Sequence, residues 1–201
     1  MNDKDHSAES GFRQPDFPTI FGRFNASWIA HGAPILRPAF SEQLDDQGEL
    51  GVPIGKAARV VSEARAHVAG WSIFNDASIR DDPFKAPQGT PGKNFDDTGA
   101  FGPWFVTADE LPPGCEGLML QTRLNGQVVQ KASMSDMVFS VARLIQILST
   151  FLTLKPGDVI VSGTPSGVGL ARKPPLWMRD GDVVEVEIDR LGPLTNPIRD
   201  R

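Results

Sequence analysis

The chain has 201 residues, a length that suits one domain with a substantial core, and 40% of them are apolar, as in an ordinary globular protein. A formal net charge of −5 with no long basic run excludes the electrostatic footprint of a nucleic-acid binder. One cysteine, Cys115, excludes an internal disulfide and points to a reducing compartment, while 20 Gly and 17 Pro favour a turn-rich β fold over a helical bundle.

The opening MNDKDHSAE is polar and acidic and lacks the apolar core of a signal peptide, so a cytoplasmic location is expected. His6 and Glu9 stand three apart and would share a helical face, where a carboxylate can orient an imidazole as a general base. A frayed polar tail is the alternative. Residues 17–40 mix aromatics with Pro and Gly and read as irregular. Residues 48–55, GELGVPIG, read as a strand disturbed at Pro53. Ser62 is placed as the N-cap of a short helix over 62–66, and residues 68–75 as a second strand. Residues 81–98 read as a long loop, of the kind that is functional or disordered. Alternation over 118–124, then Asn125-Gly126, predicts a hairpin with a type I′ turn and a return strand over 128–132. Ser133-Met134-Ser135-Asp136 reads as a capping box. Met137, Val141, Leu144, Ile145 and Leu148 then recur at helical spacing and predict the long helix, ended by KPGD at 155–158. Residues 137–152, the longest apolar segment, are interrupted by Ser140, Arg143, Gln146 and Ser149 and are too short and polar to span a bilayer, so no membrane role is expected. Residues 159–161 read as a short buried strand and 182–188 as an exposed one. The sum is an α+β fold, predominantly β.

Glu49 and Asp76 each sit in or at the end of an apolar strand, where charge is expensive to bury. A hard divalent cation needs carboxylate oxygens held by rigid elements. Gln47 and Glu49, at i and i+2, share a strand face and could aim at one ion. Acids at strand ends are also commonly solvated, or paired with Arg or Lys. The loop VSGTPSGVG, 161–169, can present backbone N–H groups to an anion, although it is neither a P-loop nor a dinucleotide fingerprint. Lys93 alone reads as a surface lysine, and His31 and His67 as structural or surface residues.

Taken in order, several segments resemble the fumarylacetoacetate hydrolase (FAH) family. They are Asp5-His6-x-x-Glu9; Gly48-Glu49-Leu50-Gly51-Val52-Pro53-Ile54-Gly55-Lys56; and VAGWSIFNDASIRD at 68–81. GKNFD at 92–96, GPWFVT at 102–107, PGDVI at 156–160 and Gly163-Thr164-Pro165-x-Gly167-Val168-Gly169 follow. The resemblance covers nearly the whole chain and is to the acylpyruvate hydrolase, oxaloacetate decarboxylase and 2-hydroxyhepta-2,4-diene-1,7-dioate isomerase type. It implies a mixed β-sandwich roll with a few helices, a lid segment over 1–16, a catalytic domain over 17–201, and usually a homodimer. It also implies a Mg²⁺ or Mn²⁺ site, with Ca²⁺ as an alternative, at Gln47, Glu49 and Asp76. The catalytic dyad of the lid falls on His6 and Glu9, the substrate-contacting lysine on Lys93, and the substrate-binding Gly-Thr-Pro loop on Gly163 and Thr164. The implied activity is metal-dependent cleavage of a C–C bond in an acylpyruvate or related β-dicarbonyl acid, in catabolism of aromatic compounds. Decarboxylation or isomerisation of an oxaloacetate-like or unsaturated keto-dicarboxylate is the alternative.

Three positions depart from the family pattern. Gln47 stands where a carboxylate is usual and brings an amide oxygen without charge, so weaker metal binding is expected. Pro83 and Gly89 stand where many relatives have Gln and Trp. A catalytically weakened paralogue that binds a dicarboxylate is therefore a second expectation.

Overall fold

The computed structural model describes residue 2, residues 16–81 and residues 89–201. Its strands, in chain order, are β1 (Trp28–Ala30), β2 (Ile35–Arg37), β3 (Leu44–Asp45), β4 (Gly48–Pro53), β5 (Gly70–Asp76), β6 (Ser78–Ile79) and β7 (Gly99–Thr107), followed by β8 (Met119–Leu124), β9 (Gln127–Ser133), β10 (Val159–Val161), β11 (Val183–Ile188) and β12 (Gly192–Asp200). The α-helices among the described residues are α1 (Thr90–Lys93) and α2 (Val141–Phe151). The architecture is the expected α+β, predominantly β.

Two five-stranded sheets form the body, in the orders β1-β7-β5-β4-β10 and β2-β12-β11-β8-β9. Both are mixed: β1 runs parallel to β7 and β2 parallel to β12, and the remaining pairs are antiparallel. A small β3-β6 ladder stands beside them. Leu50, Val52 and Ile73 of the first sheet share one core with Leu120, Val184, Val186 and Ile198 of the second and with Leu144, Ile145 and Leu148 of α2. The sheets approach so closely at Gly48 that a Cβ there would lie 2.4 Å from Thr122 Oγ1 and 2.9 Å from Val186 Cγ1. Glycine at 48 is thus a packing requirement of the sandwich.

The hairpin forms as read, with Asn125 at φ 51° and Gly126 at φ 79°, both in the left-handed region that a type I′ turn demands. The helix start differs. The Ser133–Asp136 capping box closes only a 3₁₀ turn, Met134–Asp136, and the chain is extended at Met137. The helix begins at Val141, where Ser140 Oγ accepts from Arg143 N at 3.3 Å, and it ends at Phe151. Ser62 caps nothing; the 3₁₀ turn there is Ala64–His67, preceded by Glu63. Residues 17–40, read as irregular, contain β1 and β2.

Two long strands escape local reading. In β7, Gly99, Gly102 and Pro103 look like turn residues, yet the strand lies between β1 and β5. Its register jumps from Val106↔Trp71 to Gly102↔Ile73, which removes Pro103 from the ladder. In β12, Pro193 and Pro197 likewise mask a strand paired with both β2 and β11. The 182–188 strand is not exposed: β11 is interior to its sheet, with Val184, Val186 and Ile188 buried and Glu185 and Glu187 paired to Arg123. No described helix is long and apolar enough to cross a membrane.

Cys115 is buried and its thiol is pushed up to about 12 by burial. Gly48→Ala is expected to destabilise the fold by about 1–3 kcal/mol, because Thr122 and Val186 must move apart. Urea unfolding followed by circular dichroism checks this, and an unchanged midpoint contradicts the packing described.

Candidate active site

Alternation along β4 and β5 builds the site. The register pairs Gly48 with Asn75 and Glu49 with Phe74. It extends one step further, since Asp76 N donates to Gln47 O at 2.9 Å and Gln47 N to Asn75 Oδ1 at 3.0 Å. Side chains opposite one another share a face. Gly48 faces the second sheet, so Gln47, Glu49, Phe74 and Asp76 face the other way. On that side Gln47, Glu49 and Asp76 line a cavity of about 660 Å³, closed by segment 18–25, α2 and the loop after β10.

Glu49 and Asp76 are neither solvated nor at the rim: they are 4% and 2% exposed. Asp76 is paired twice. Its Oδ1 accepts from Arg23 Nη1 and its Oδ2 from Lys93 Nζ, which also donates to Gln47 Oε1. Lys93 is no surface lysine. It closes α1 and points into the cavity, with its ammonium 5.1 Å from the Phe21 ring centroid. Burial lowers its pKa from the usual lysine value, against the upward pull of Asp76. Glu49 Oε2 accepts from Gly163 N at 2.5 Å. Burial, and then the neighbouring Asp76, push Glu49 up to about 8. Two carboxylates and two cations thus share one poorly solvated volume.

The Gly-rich loop presents N–H groups to anions, but these anions are the protein's own carboxylates. Gly163 N serves Glu49, while Gly169 N and Leu170 N serve Asp45 at 2.6 and 3.2 Å. The Thr164 hydroxyl is committed to the scaffold, donating to Gly48 O at 3.1 Å and accepting from Gln130 Nε2 at 2.9 Å. Gly163 and Thr164 still line the cavity. Pro83 lies outside the described residues, as do His6 and Glu9. Gly89 precedes α1 in open space.

Several contributors carried no local signal. Arg23 and Arg80 line the cavity. Arg80 Nε donates to the fully buried Asp45 at 2.7 Å, which fixes its guanidinium. Gln130 looked like an ordinary polar strand residue, yet its amide joins Gly48 N, Thr122 Oγ1, Thr164 Oγ1 and Pro165 O. It ties β4 to β9 and to the loop after β10. Asn2 docks beside the cavity: its side chain donates to Phe139 O and Ser162 O at 2.9 and 2.7 Å. His67 is buried with Nδ1 beside Lys56 O, and His31 Nδ1 accepts from Thr195 N, both structural roles.

Gln47, Glu49 and Asp76 offer only oxygen donors from adjacent strands, a set that suits a hard divalent ion. Among the described residues no group of three His, Cys, Asp or Glu side chains stands together in a way that could hold a metal ion. The chemistry of the donor set fits Mg²⁺ or Mn²⁺, with two formal charges rather than three.

The fumarylacetoacetate (FAA) hydrolase C-terminal family profile matches residues 1–199. This chain belongs to the fumarylacetoacetate hydrolase family. It is 40% identical over 202 residues to the Xenopus laevis protein called oxaloacetate tautomerase fahd2, mitochondrial, covering 98% of this chain and 63% of that one. The chain thus spans less than two thirds of that relative's length. Fumarylacetoacetate hydrolase from psychrophilic Exiguobacterium antarcticum superposes with a TM-score of 0.91 at 36% identity, over 100% of this chain and 73% of that one. For 5-carboxymethyl-2-hydroxymuconate delta-isomerase from Mycobacterium smegmatis the TM-score is 0.88 at 35% identity, over 100% and 76%. Members of this family are generally dependent on a divalent metal.

Gln130→Ala is expected to cost about 3 kcal/mol, since Gly48 N, the Thr122 hydroxyl and Pro165 O all lose their Gln130 partner inside the fold. Thermal unfolding of the purified variant measures the loss. A cost below about 0.5 kcal/mol removes Gln130 from the scaffold of the site.

Proposed function

We propose that the chain is an enzyme acting on a small 2-keto dicarboxylate or related β-dicarbonyl acid through its enol or enolate form. The observation that carries this is the buried Lys93 ammonium, set among Gln47, Glu49 and Asp76 in a cavity that Arg80 also lines. A volume of about 660 Å³ accommodates a small dicarboxylate with its charges covered. Glu49, Asp76 and Gln47 would hold Mg²⁺ or Mn²⁺, with Ca²⁺ as an alternative. The ion supplies Lewis-acid polarisation of the 2-keto group when bound.

The residues of the chain do the rest. Lys93, with its pKa lowered by burial, yields a proton more readily than an exposed lysine and offsets charge on an enolate oxygen. Arg80, aimed by Asp45, offers a fixed guanidinium to a substrate carboxylate. Leu144 and Leu148 of α2 give the cavity an apolar side. Gly163 and Thr164 shape the floor beneath the substrate. These groups suffice for proton transfer at a keto–enol centre, as the tautomerase and isomerase names among the relatives suggest.

A second reading is C–C hydrolysis of an acylpyruvate in aromatic catabolism, favoured by the His6-x-x-Glu9 spacing and by the Exiguobacterium hydrolase. In it the lid over 1–16 closes on the domain over 17–201, His6 activates a water, and Glu9 orients the imidazole. A homodimer in the cytoplasm completes the proposal, supported by Trp104 and Phe105, which stand exposed on β7.

The test is a panel of oxaloacetate, acylpyruvates and unsaturated keto-dicarboxylates with added Mn²⁺, followed by the ultraviolet absorbance of the enol. Enol–keto conversion is expected to survive His6→Ala and to fall about 100-fold in Lys93→Met, in the range of a positioned proton-transfer group. Hydrolysis lost in His6→Ala, with no tautomerisation by either protein, selects the second reading. No turnover of any substrate rejects the enzyme in favour of a dicarboxylate binder. Calorimetry should show Gln47→Glu binding Mn²⁺ at least ~10-fold more tightly than wild type, as a third ligand charge is restored.

A further inference from the structure

Arg23 is built into the site as firmly as the acids. Its side chain is 5% exposed. Nη1 donates to Asp76 Oδ1, Nη2 donates to Thr98 Oγ1 at 2.7 Å, and both lie 3.3 Å from Ala77 O. The guanidinium carbon stands 5.4 Å from the centroid of the buried Phe74 ring, within cation–π range. Gly99 is shaped to it: a Cβ there would lie 2.5 Å from Arg23 Nε and 2.9 Å from Cζ. Backbone, hydroxyl, ring and a missing side chain together hold a positive charge against Asp76. Nε itself is buried without a partner among the described residues, so the cradle tolerates a desolvation cost to keep the charge in place.

The two cations on Asp76 differ. Lys93 reaches Asp76 Oδ2 and Gln47 Oε1 with a flexible stem that can swing away. Arg23 is clamped by Thr98 and Ala77 as well as by Asp76. Gln47 brings no charge, so the formal charges of Glu49 and Asp76 are already matched by those of Arg23 and Lys93. An incoming divalent ion meets a balanced site with a fixed cation at its edge.

We propose that Arg23 is a resident counter-cation of Asp76 that supplies part of the positive charge the acid pair requires, and thereby sets how tightly this site holds a divalent ion. The inference rests on the metal part of the proposed function and extends it to a residue outside the donor set. It makes Arg23 a positioning and affinity-setting residue, acting through Asp76. Charge is its main contribution, so a lysine in its place retains part of the effect and a neutral side chain does not.

Mn²⁺ titration by calorimetry of wild type, Arg23→Met, Arg23→Lys and Gln47→Glu tests this, together with thermal unfolding with and without Mn²⁺. Arg23→Met is expected to bind Mn²⁺ at least ~10-fold more tightly than wild type and to gain more in unfolding temperature from the ion, as linkage requires. Arg23→Lys is expected to bind more weakly than Arg23→Met and nearer to wild type, because the charge is kept although the guanidinium fork is lost. If Arg23→Met folds only in the presence of Mn²⁺ and not in sodium chloride of equal ionic strength, the ion has replaced the missing charge and the inference stands. If it folds in neither, or binds no more tightly than wild type while Gln47→Glu does, Arg23 merely orients Asp76 and the inference falls alone. Absence of Mn²⁺ binding in all four proteins overturns the inference and the metal reading together.

Discussion

Asp76 is the constraint on which the site depends. A carboxylate 2% exposed at the end of a central strand cannot remain charged without compensation, and this one is compensated twice, by Arg23 and by Lys93. Each partner arrives from a different element. Arg23 comes from the segment before β1, and Lys93 from the end of α1. The pairing therefore fixes the position of both elements over the outer face of the first sheet, and the cavity is the space left between them. Breaking such a pair by removing one partner is far more costly than never having built it, because it leaves a buried charge alone.

The same logic extends to the second acid. Glu49 reaches the shared volume because β4 and β5 pair in one register only, with Gly48 turned to the second sheet. A slip of one residue would bury Glu49 and Asp76 in the apolar core and expose Gly48, so the hydrophobic pattern and the site are set by one choice. Gly163 then donates to Glu49 and holds the loop after β10 against the cavity. Asp45 does the equivalent for Gly169, Leu170 and Arg80. Buried carboxylates organise the loops here, and the loops in turn hold the cations.

Gln47 brings an uncharged amide oxygen to the site beside Glu49 and Asp76. The amide oxygen still faces the cavity and still accepts from Lys93. The oxygen geometry persists while one unit of ligand charge is gone. The solved relatives that share this fold carry isomerase and hydrolase names, so fold alone does not choose the reaction.

The sequence by itself determined the parts whose physics is local. Asn125-Gly126 demanded a tight hairpin, the spacing of Val141, Leu144, Ile145 and Leu148 demanded a helix, and Glu49 and Asp76 announced themselves as charges within apolar strands. The family resemblance was legible because its motifs keep their order along the chain. Tertiary structure alone decided the rest. β7 and β12 carry glycines and prolines that argue against strands, and only pairing on both sides makes them strands. Arg23 lies 53 residues from Asp76 in a segment with no pattern, and Gln130 lies 82 from Gly48. No local signal marks such residues, because what recruits them is a buried charge or an unpaired amide elsewhere in the chain, and that need exists only once the sheets have closed.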